Sequence, residues 1–430
     1  MRKTLLALLT FALLAGMLHF APALRRQELV CAPAPAPAPL AAADPDTGFL
    51  IDRSGALIPF YAALERVEAK QPGAVVRVLH FGDSPVTADQ ITADVRSLLQ
   101  ERFGDAGHGF VLVAKPWAWY GHRGVDVQGK GWKIQPASQA RAADGLHGLG
   151  GVSFIGQTGA TSLIRLDTPH QRVDLMYLKQ PGGGSLTVRA AGAELAVISS
   201  EAPAKEAGFT TVPLPHDCRE IELAVTAGPF RIFGASFEKD GPGVRYSSLG
   251  VNGGQVQMVV RYFEAAHWTD QIRHQRPDLI VLNYGTNESV FPGYVNTLYP
   301  GELREVIRRL HSAVPGVSVL IMSPMDRGQR DGGGDIVTLP ILPRVVEIQR
   351  TVAAETGCAF FNTFQAMGGA GTMARWYTAR PRLVTADFMH PLPAGAKQVG
   401  SLFEEALGDG FRRFQAERTR MNLAQAKGRR

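Results

Sequence analysis

The sequence is poor in cysteine: Cys31, Cys218 and Cys358 lie far apart in a chain of 430 residues. This spacing offers neither a disulfide framework nor the Cys-x-x-Cys pairs of a structural metal site. The residues before Cys31 are largely polar and charged, with Arg25, Arg26 and Glu28 among them. A bacterial lipoprotein cysteine follows small apolar residues, so that type of lipid attachment is not expected.

A net excess of positive charge is also lacking in the body of the chain, although the formal net charge of the whole chain is +6. Residues 1–26 carry four basic side chains and no acidic one, and residues 411–430 carry seven basic side chains and one Glu. The residues between these ends are therefore net negative. No nucleic-acid-binding motif accompanies the basic ends, so no nucleic acid partner is expected. The basic tail, residues 415–430, is interpreted as solvated, with contact to an anionic membrane or cell-wall polymer as the alternative.

One long hydrophobic run occurs, within residues 1–24, where two basic residues precede about 20 mostly apolar ones. It is either a signal peptide or an uncleaved signal anchor, because about 20 apolar residues can span a bilayer. The linker that follows, residues 25–47, contains the Ala-Pro alternation of residues 32–39, which is typical of a stiff extended spacer. We expect export to the periplasm or cell envelope, with a membrane tether if the apolar segment is retained.

Helix and strand patterns alternate in two blocks, residues 48–116 and residues 241–414. In the first block a β-forming run at 74–81 is followed by an amphipathic helical pattern at 89–103. The second block repeats this alternation, and its clearest apolar strand is at 278–285. Apolar strands that alternate with helices predict an α/β fold with a parallel sheet covered on both faces.

Residues 117–240 have a different pattern. Short strand candidates with alternating polarity are separated by Gly, Pro, Asp and Asn turns, with almost no helical period. This pattern predicts a β-sandwich inserted into the α/β domain after its first strand and helix.

Three polar clusters follow or lie between predicted elements. They are Gly82-Asp83-Ser84, Gly285-Thr286-Asn287-Glu288, and Asp387-Phe388-Met389-His390. Ligands of open parallel sheets bind beyond the carboxyl ends of the strands, which is where these clusters are expected. Each cluster alone is ordinary turn or cap chemistry. Together they supply a hydroxyl nucleophile, an imidazole base, a carboxylate and an amide donor for an oxyanion, which are the components of ester cleavage.

The order of these clusters resembles that of the SGNH (GDSL-type) hydrolases, which also have a glycine block, matched here by Gly250-Val251-Asn252-Gly253. The resemblance covers about residues 74–110 and 245–410. It implies the flavodoxin-like parallel sheet of this family, with helices on both faces. The chain has no Gly-x-Ser-x-Gly elbow, which argues against the α/β-hydrolase alternative.

The resemblance also implies a role for each block. Ser84 would be the nucleophile, His390 its general base, and Asp387 the carboxylate that orients the imidazole. The backbone N–H groups of Ser84 and Gly253 and the side-chain amide of Asn287 would form the oxyanion hole. This mechanism requires no metal and no organic cofactor.

A narrower resemblance is to bacterial peptidoglycan O-acetylesterases, exported SGNH enzymes with a carbohydrate-binding-like, jelly-roll-like β-sandwich inserted between the first two blocks. Residues 103–110, the glycine block and residues 366–376 carry it. Those relatives commonly place His after the nucleophile, where this chain has Pro85. The resemblance implies removal of a small acyl group, O-acetyl, from an envelope or extracellular polysaccharide, peptidoglycan included. Acetyl transfer by the same residues and a glycan-binding protein without turnover are the alternatives.

An aromatic cluster at Trp117, Trp119 and Tyr120 is a further candidate for substrate binding. Aromatic faces pack on sugar rings, so these side chains predict a stacking platform. Packing in the core at the domain junction is an equally good interpretation.

Overall fold

The computed structural model describes residues 48–428. The expected export segment and the Ala/Pro linker, residues 1–47, lie outside the described residues. Within residues 48–428, no helix combines the length and the apolar composition needed to cross a bilayer.

Seventeen strands are present in the described chain. They are β1 (Leu50–Ile51), β2 (Val75–Gly82), β3 (Gly109–Val111), β4 (Val125–Pro136), β5 (Val152–Leu166), β6 (Arg172–Lys179), β7 (Ser185–Ala190), β8 (Ala193–Ser199), β9 (Glu206–Pro213), β10 (Glu220–Ala227), β11 (Phe230–Glu238), β12 (Gly243–Gly250), β13 (Leu279–Asn283), β14 (Ser318–Met322), β15 (Gly328–Arg330), β16 (Ile336–Thr338) and β17 (Ala359–Phe361).

The helices of the same residues range from one turn to ten. They are α1 (Ile58–Glu68), α2 (Ser84–Thr87), α3 (Gln90–Phe103), α4 (Val256–Arg261), α5 (Ala265–Gln275), α6 (Pro292–Thr297), α7 (Tyr299–Ala313), α8 (Leu342–Thr356), α9 (Thr363–Ala366), α10 (Thr372–Thr378) and α11 (Pro393–Gly428), with a 3-10 turn at Glu288–Val290.

The first sheet has six strands in the order β1-β17-β14-β13-β2-β12. All neighbours are parallel except β1, which pairs antiparallel with β17 at the edge. Numbered in chain order, the five parallel strands have the flavodoxin-like order 2-1-3-4-5, which confirms the predicted α/β fold. The order reverses between β2 and β13, and such a switch point is where open α/β sheets bind their ligands.

The parallel strands are buried because both faces of the sheet are covered. All five residues of β13 and all five of β14 are buried, as expected for a strand between two helical layers. On one face Val76 and Val78 of β2 belong to a core with α1, α3 and α11. On the other face Leu79 and Phe81 of the same strand belong to a core with α5, α7 and α8. Alternation along the strand separates the two sets.

The second sheet is antiparallel and has nine strands. Its order is β8-β7-β10-β5-β11-β6-β9, with β3 paired to β11 and β4 paired to β5. Strand β5 contributes to two parts of this sheet, since Phe154–Gly156 pair with β11 and Thr161–Arg165 pair with β10. The segment predicted to form a β-sandwich thus lies in one nearly closed antiparallel sheet.

The first described residues lie at the carboxyl ends of the parallel strands. The carbonyl of Phe49 accepts a hydrogen bond of 2.8 Å from the N–H of Asn362, which directly follows β17. Helix α11 also begins at this edge and runs for 36 residues, or about 54 Å at 1.5 Å per residue. Because the strands of this sheet span at most 8 residues, the helix extends past the opposite edge. Residues 415–424, which were expected to be a tail and are exposed from 416 onward, continue this helix.

Candidate active site

Ser84 lies directly beyond the carboxyl end of β2, as the first residue of the short helix α2. Asp83, rather than Ser84, occupies the cap, and its carbonyl accepts from the N–H groups of Val86 and Thr87 at 3.1 and 2.9 Å. The turn is tight: a Cβ at Gly82 would lie 2.5 Å from Val86 Cγ2. Pro85 in the first helical turn has its φ already fixed at a helical value, which favours this start.

The side chains of Ser84, His390 and Asp387 form a continuous hydrogen-bonded chain. Ser84 Oγ lies 2.8 Å from His390 Nε2, and His390 Nδ1 lies 2.6 Å from Asp387 Oδ2. His390 and Asp387 remain 33% and 48% exposed, so the chain faces solvent. A hydroxyl, an imidazole and a carboxylate in this order have the geometry of an acyl-transfer triad.

Hydrogen bonds keep the Asp387 carboxylate charged. Partial burial opposes ionisation, but bonds donated by the Thr385 hydroxyl, the His390 ring and two backbone N–H groups lower the pKa of Asp387 to about 2. The backbone donors are Met389 and His390, at 3.0 and 3.1 Å from Asp387 Oδ1. An ionised Asp387 can stabilise the positive charge that His390 acquires when it accepts a proton.

The β15–β16 hairpin holds the turn that carries Asp387 and His390 in place. The carbonyl of Phe388 accepts from Gly328 N–H at 2.9 Å, and the Phe388 ring is buried. Buried Asp326 accepts from Thr338 Oγ1 and from Met373 N–H, at 2.8 and 2.9 Å. These bonds connect the hairpin to α10 and hold the turn in place.

The predicted oxyanion donors lie at the same edge. Asn287 Nδ2 donates to the carbonyl of Gly254 at 3.0 Å and lies 3.5 Å from Asp83 Oδ2. Val251 N–H donates to Gly82 O at 3.0 Å, which brings the glycine block to the end of β2. Gly253 has a φ of +70°, and a Cβ added there would meet nothing within 4 Å. Its backbone therefore borders open space.

Glu288 joins two of the predicted blocks, a role that the sequence did not assign to it. It is fully buried, and its two carboxylate oxygens accept from the N–H groups of Val256 and Gly285, at 2.8 and 2.9 Å. Burial raises the pKa of Glu288 to about 7 and that of neighbouring Asp83 to about 6. Glu288 thus fixes the loop of Asn287 against the glycine block.

Arg327 was also missed, because its neighbourhood in the sequence resembles a flexible glycine-rich turn. Its guanidinium donates to the carbonyl of Thr286 at 2.7 Å, in the loop that carries Asn287. The next residue, Gly328, bonds to Phe388 in the turn that carries His390. Arg327 and Gly328 together therefore connect the loop of Asn287 to the turn of His390.

The aromatic cluster separates into two structural residues and one exposed residue. Trp117 is only 5% exposed, and Tyr120 packs against the core while its hydroxyl accepts from Leu112 N–H at 2.8 Å. The burial of Trp117 favours the packing interpretation for that ring, whereas Tyr120 is only partly buried. Trp119 is 54% exposed, and its Nε1 donates to Asn252 Oδ1 in the glycine block at 3.2 Å.

Residues 225–398 match the GDSL-like lipase/acylhydrolase family. The chain carries a GDSL-type hydrolase domain. The protein is accordingly a hydrolase acting on ester bonds. The match includes Gly253, Asn287, Asp387 and His390. It begins at residue 225 and therefore does not include Ser84.

A solved structure of a peptidoglycan O-acetylesterase is similar to this GDSL-type hydrolase, with a TM-score of 0.73 and 23% identity. The similarity covers 85% of this chain and 99% of the other, and it establishes the SGNH hydrolase fold. A Bacillus subtilis protein is 14% identical, with 66% and 90% coverage and a TM-score of 0.33. The salicylyl-acyltransferase SsfX3 is 14% identical, with 67% and 98% coverage and a TM-score of 0.30. No curated protein matches the sequence.

Proposed function

We propose that this protein is an exported serine esterase that removes a small acyl group, O-acetyl, from a cell-envelope or extracellular polysaccharide. The observation that carries the proposal is the hydrogen-bonded chain from Ser84 through His390 to Asp387 at the carboxyl edge of the parallel sheet. The fold shared with a peptidoglycan O-acetylesterase supports a polysaccharide as substrate.

Acylation would begin at Ser84. His390 Nε2 accepts the proton of Ser84 Oγ as the oxygen attacks the acyl carbonyl, and Asp387 stabilises the resulting imidazolium. The tetrahedral oxyanion accepts hydrogen bonds from the N–H groups of Ser84 and Gly253 and from the amide of Asn287. The intermediate collapses as His390 returns the proton to the sugar oxygen, which leaves as a free hydroxyl.

Deacylation would use the same groups with water as nucleophile. His390 accepts a proton from water as the water oxygen attacks acyl-Ser84. The second tetrahedral intermediate collapses to the free carboxylic acid, and the proton returns to Ser84 Oγ. A sugar hydroxyl in place of water would make the enzyme an acetyltransferase.

The nine-stranded sheet would serve as a carbohydrate-binding-like sandwich that holds the polymer. Exposed Trp119, hydrogen-bonded to the glycine block, lies where this module meets the proposed oxyanion hole. The segment at residues 1–24 would direct the protein to the periplasm or cell envelope. In this organisation residues 48–116 and 241–414 would build the hydrolase domain, except that β3 joins the antiparallel sheet, and residues 117–240 would form the insertion.

The test is turnover of p-nitrophenyl acetate by the purified protein and by Ser84→Ala. We expect the wild type to hydrolyse the ester and to be labelled at Ser84 by a fluorophosphonate, and the variant to lose both properties. Ser54→Ala removes an exposed hydroxyl far from the site and should leave both unchanged. A wild type with neither turnover nor labelling, but with glycan binding that survives Ser84→Ala, would identify a binding protein instead. Acetate release with and without a glycan acceptor distinguishes hydrolysis from transfer.

A further inference from the structure

A small polar cavity of about 160 Å³ lies at the amino end of the parallel sheet, on the face covered by the antiparallel sheet. Its charged lining includes four arginines and two carboxylates, namely Arg77, Arg172, Arg245, Arg276, Asp174 and Glu238. Arg77 precedes Ser84 by seven residues along β2 and the turn after it, or about 23 Å in extended chain. The cavity is therefore separate from the proposed active site.

The register of the parallel sheet forces two of these arginines together. Arg77 of β2 and Arg245 of β12 are direct neighbours in the ladder, so their side chains leave the same face of the sheet side by side. Arg245 is buried at 4% exposure and pairs with Glu238, which also accepts from Arg172 at 2.9 Å. The Glu238 carboxylate thus forms ion pairs with both Arg245 and Arg172.

Two arginines of the cavity have no ion-pair partner within 4.0 Å among the residues whose side chains are described. The guanidinium of Arg77 contacts only the carbonyl of Val75, at 3.3 Å, and Asp278 accepts from the backbone N–H of Arg77 rather than from its side chain. Burial and neighbouring cations, Arg276 among them, lower the pKa of Arg77. Burial and the same cluster lower the pKa of Arg245 to about 9.

Asp174 forms no ion pair with Arg77 or Arg276, although its negative charge raises the pKa of Arg245. Its carboxylate already contacts His274 Nε2 at 2.7 Å and accepts from the Thr211 hydroxyl at 3.1 Å. Four guanidinium groups and two carboxylates therefore line the cavity, and Asp240, which is outside the lining, also pairs with Arg172. Guanidinium forks match the oxygens of tetrahedral oxyanions.

We propose that this cavity binds one small inorganic oxyanion, phosphate or sulfate. Arg77 and Arg276, the two arginines of the lining without an ion-pair partner, match the charge of a dianion. The volume is well below the roughly 300–1,000 Å³ of pockets for drug-sized ligands, so the ligand is small. The ion would bridge Arg77 and Arg245 of the parallel sheet to Arg172 of the antiparallel sheet, so it would stabilise the junction of the two sheets.

The test is the thermal stability of the full chain in phosphate or sulfate against chloride at equal ionic strength. At ion concentrations well above Kd, we expect both oxyanions to raise the Tm of the wild type by about 2 °C or more. Arg77→Gln and the rim variant Arg276→Gln should lose this shift and bind phosphate at least tenfold more weakly in calorimetric titration. Turnover of p-nitrophenyl acetate should be unchanged in both variants, since the cavity is remote from Ser84.

Arg308→Gln is the matched control, because it removes an exposed arginine on α7 and should retain the full shift. An equal shift in Arg77→Gln and Arg276→Gln, or no shift in the wild type, would overturn the proposal. Glycerol 3-phosphate identifies the source of the ion. If glycerol 3-phosphate does not raise the Tm of the wild type, the site binds the free inorganic ion. If it raises the Tm as much as phosphate does, the site also accepts the terminal phosphate group of a larger molecule.

Discussion

At the scale of single residues, three polar clusters far apart in the sequence meet at one edge of a sheet. Ser84 and His390 are separated by 306 positions and lie within hydrogen-bond distance. The sequence could predict this meeting because parallel strands place their carboxyl ends at one edge. It could not distinguish Trp117 from Trp119, because burial of an aromatic ring depends on how the insertion packs.

Asn287→Ala should lower kcat for acetyl ester hydrolysis by about 10² to 10³, with little change in KM. The reason is that a donor to the oxyanion acts mainly in the transition state, and its removal costs about 2.7 to 4 kcal/mol. Steady-state kinetics with p-nitrophenyl acetate measures the effect.

Asn296→Ala is the control for this substitution, because Asn296 is exposed on nearby α6 and is expected to leave kcat unchanged. An equal loss in both variants, or a loss confined to KM, would argue against Asn287 as an oxyanion donor.

At the scale of elements, the loops after β13 and β14 depend on each other. The hairpin that follows β14 holds the turn of His390, and Arg327 at its base holds the loop of Asn287. The sequence placed strand β13 correctly, because continuous apolar runs are typical of buried parallel strands. It missed β12, whose mixed composition gives no clear pattern and whose partner β2 is remote in the sequence.

Arg327→Met should lower kcat by about 10- to 100-fold, because a lost hydrogen bond from a charged donor is worth about 1.5–3 kcal/mol. Without it, the loop of Asn287 is less well fixed relative to the turn of His390. Kinetics together with circular dichroism separates this loss from unfolding.

Arg327→Lys retains the charge and should recover part of the rate. Arg344→Met, an exposed position on α8, is expected to behave as the wild type. Wild-type kcat in Arg327→Met would show that the two loops are positioned without this contact.

At the scale of the whole molecule, α11 has a buried first part and an exposed end. Phe403, Leu407 and Phe411 are buried in the core against α1 and α3. Beyond them, Arg418 pairs with Glu65 and Gln415 bonds to Glu68 at the surface. The sequence did not predict that this helix continues past residue 414, because the polar composition of residues 415–424 is equally typical of a solvated tail.

Removal of residues 415–430 should change the free energy of unfolding by about 1 kcal/mol or less, since exposed ion pairs contribute about 0–1 kcal/mol each. Esterase turnover should be retained. Denaturant unfolding of the shortened chain measures the first quantity, and p-nitrophenyl acetate the second.

Phe403→Ala provides the contrast, with an expected cost of about 3–5 kcal/mol for emptying a buried ring position. A shortened chain as unstable as Phe403→Ala would mean that the exposed end of α11 belongs to the folding core.

Phe49, near the start of the described chain, lies at the carboxyl ends of the parallel strands, on the same side as Ser84. Helix α11 runs from that side to beyond the amino ends of the strands. For anyone who wishes to attach this protein to a bead, a sensor or a fusion partner, the two ends are not equivalent. Attachment through the carboxyl-terminal end leaves Ser84 facing the solution. Attachment close to Phe49 places the side of the molecule that carries Ser84 against the support.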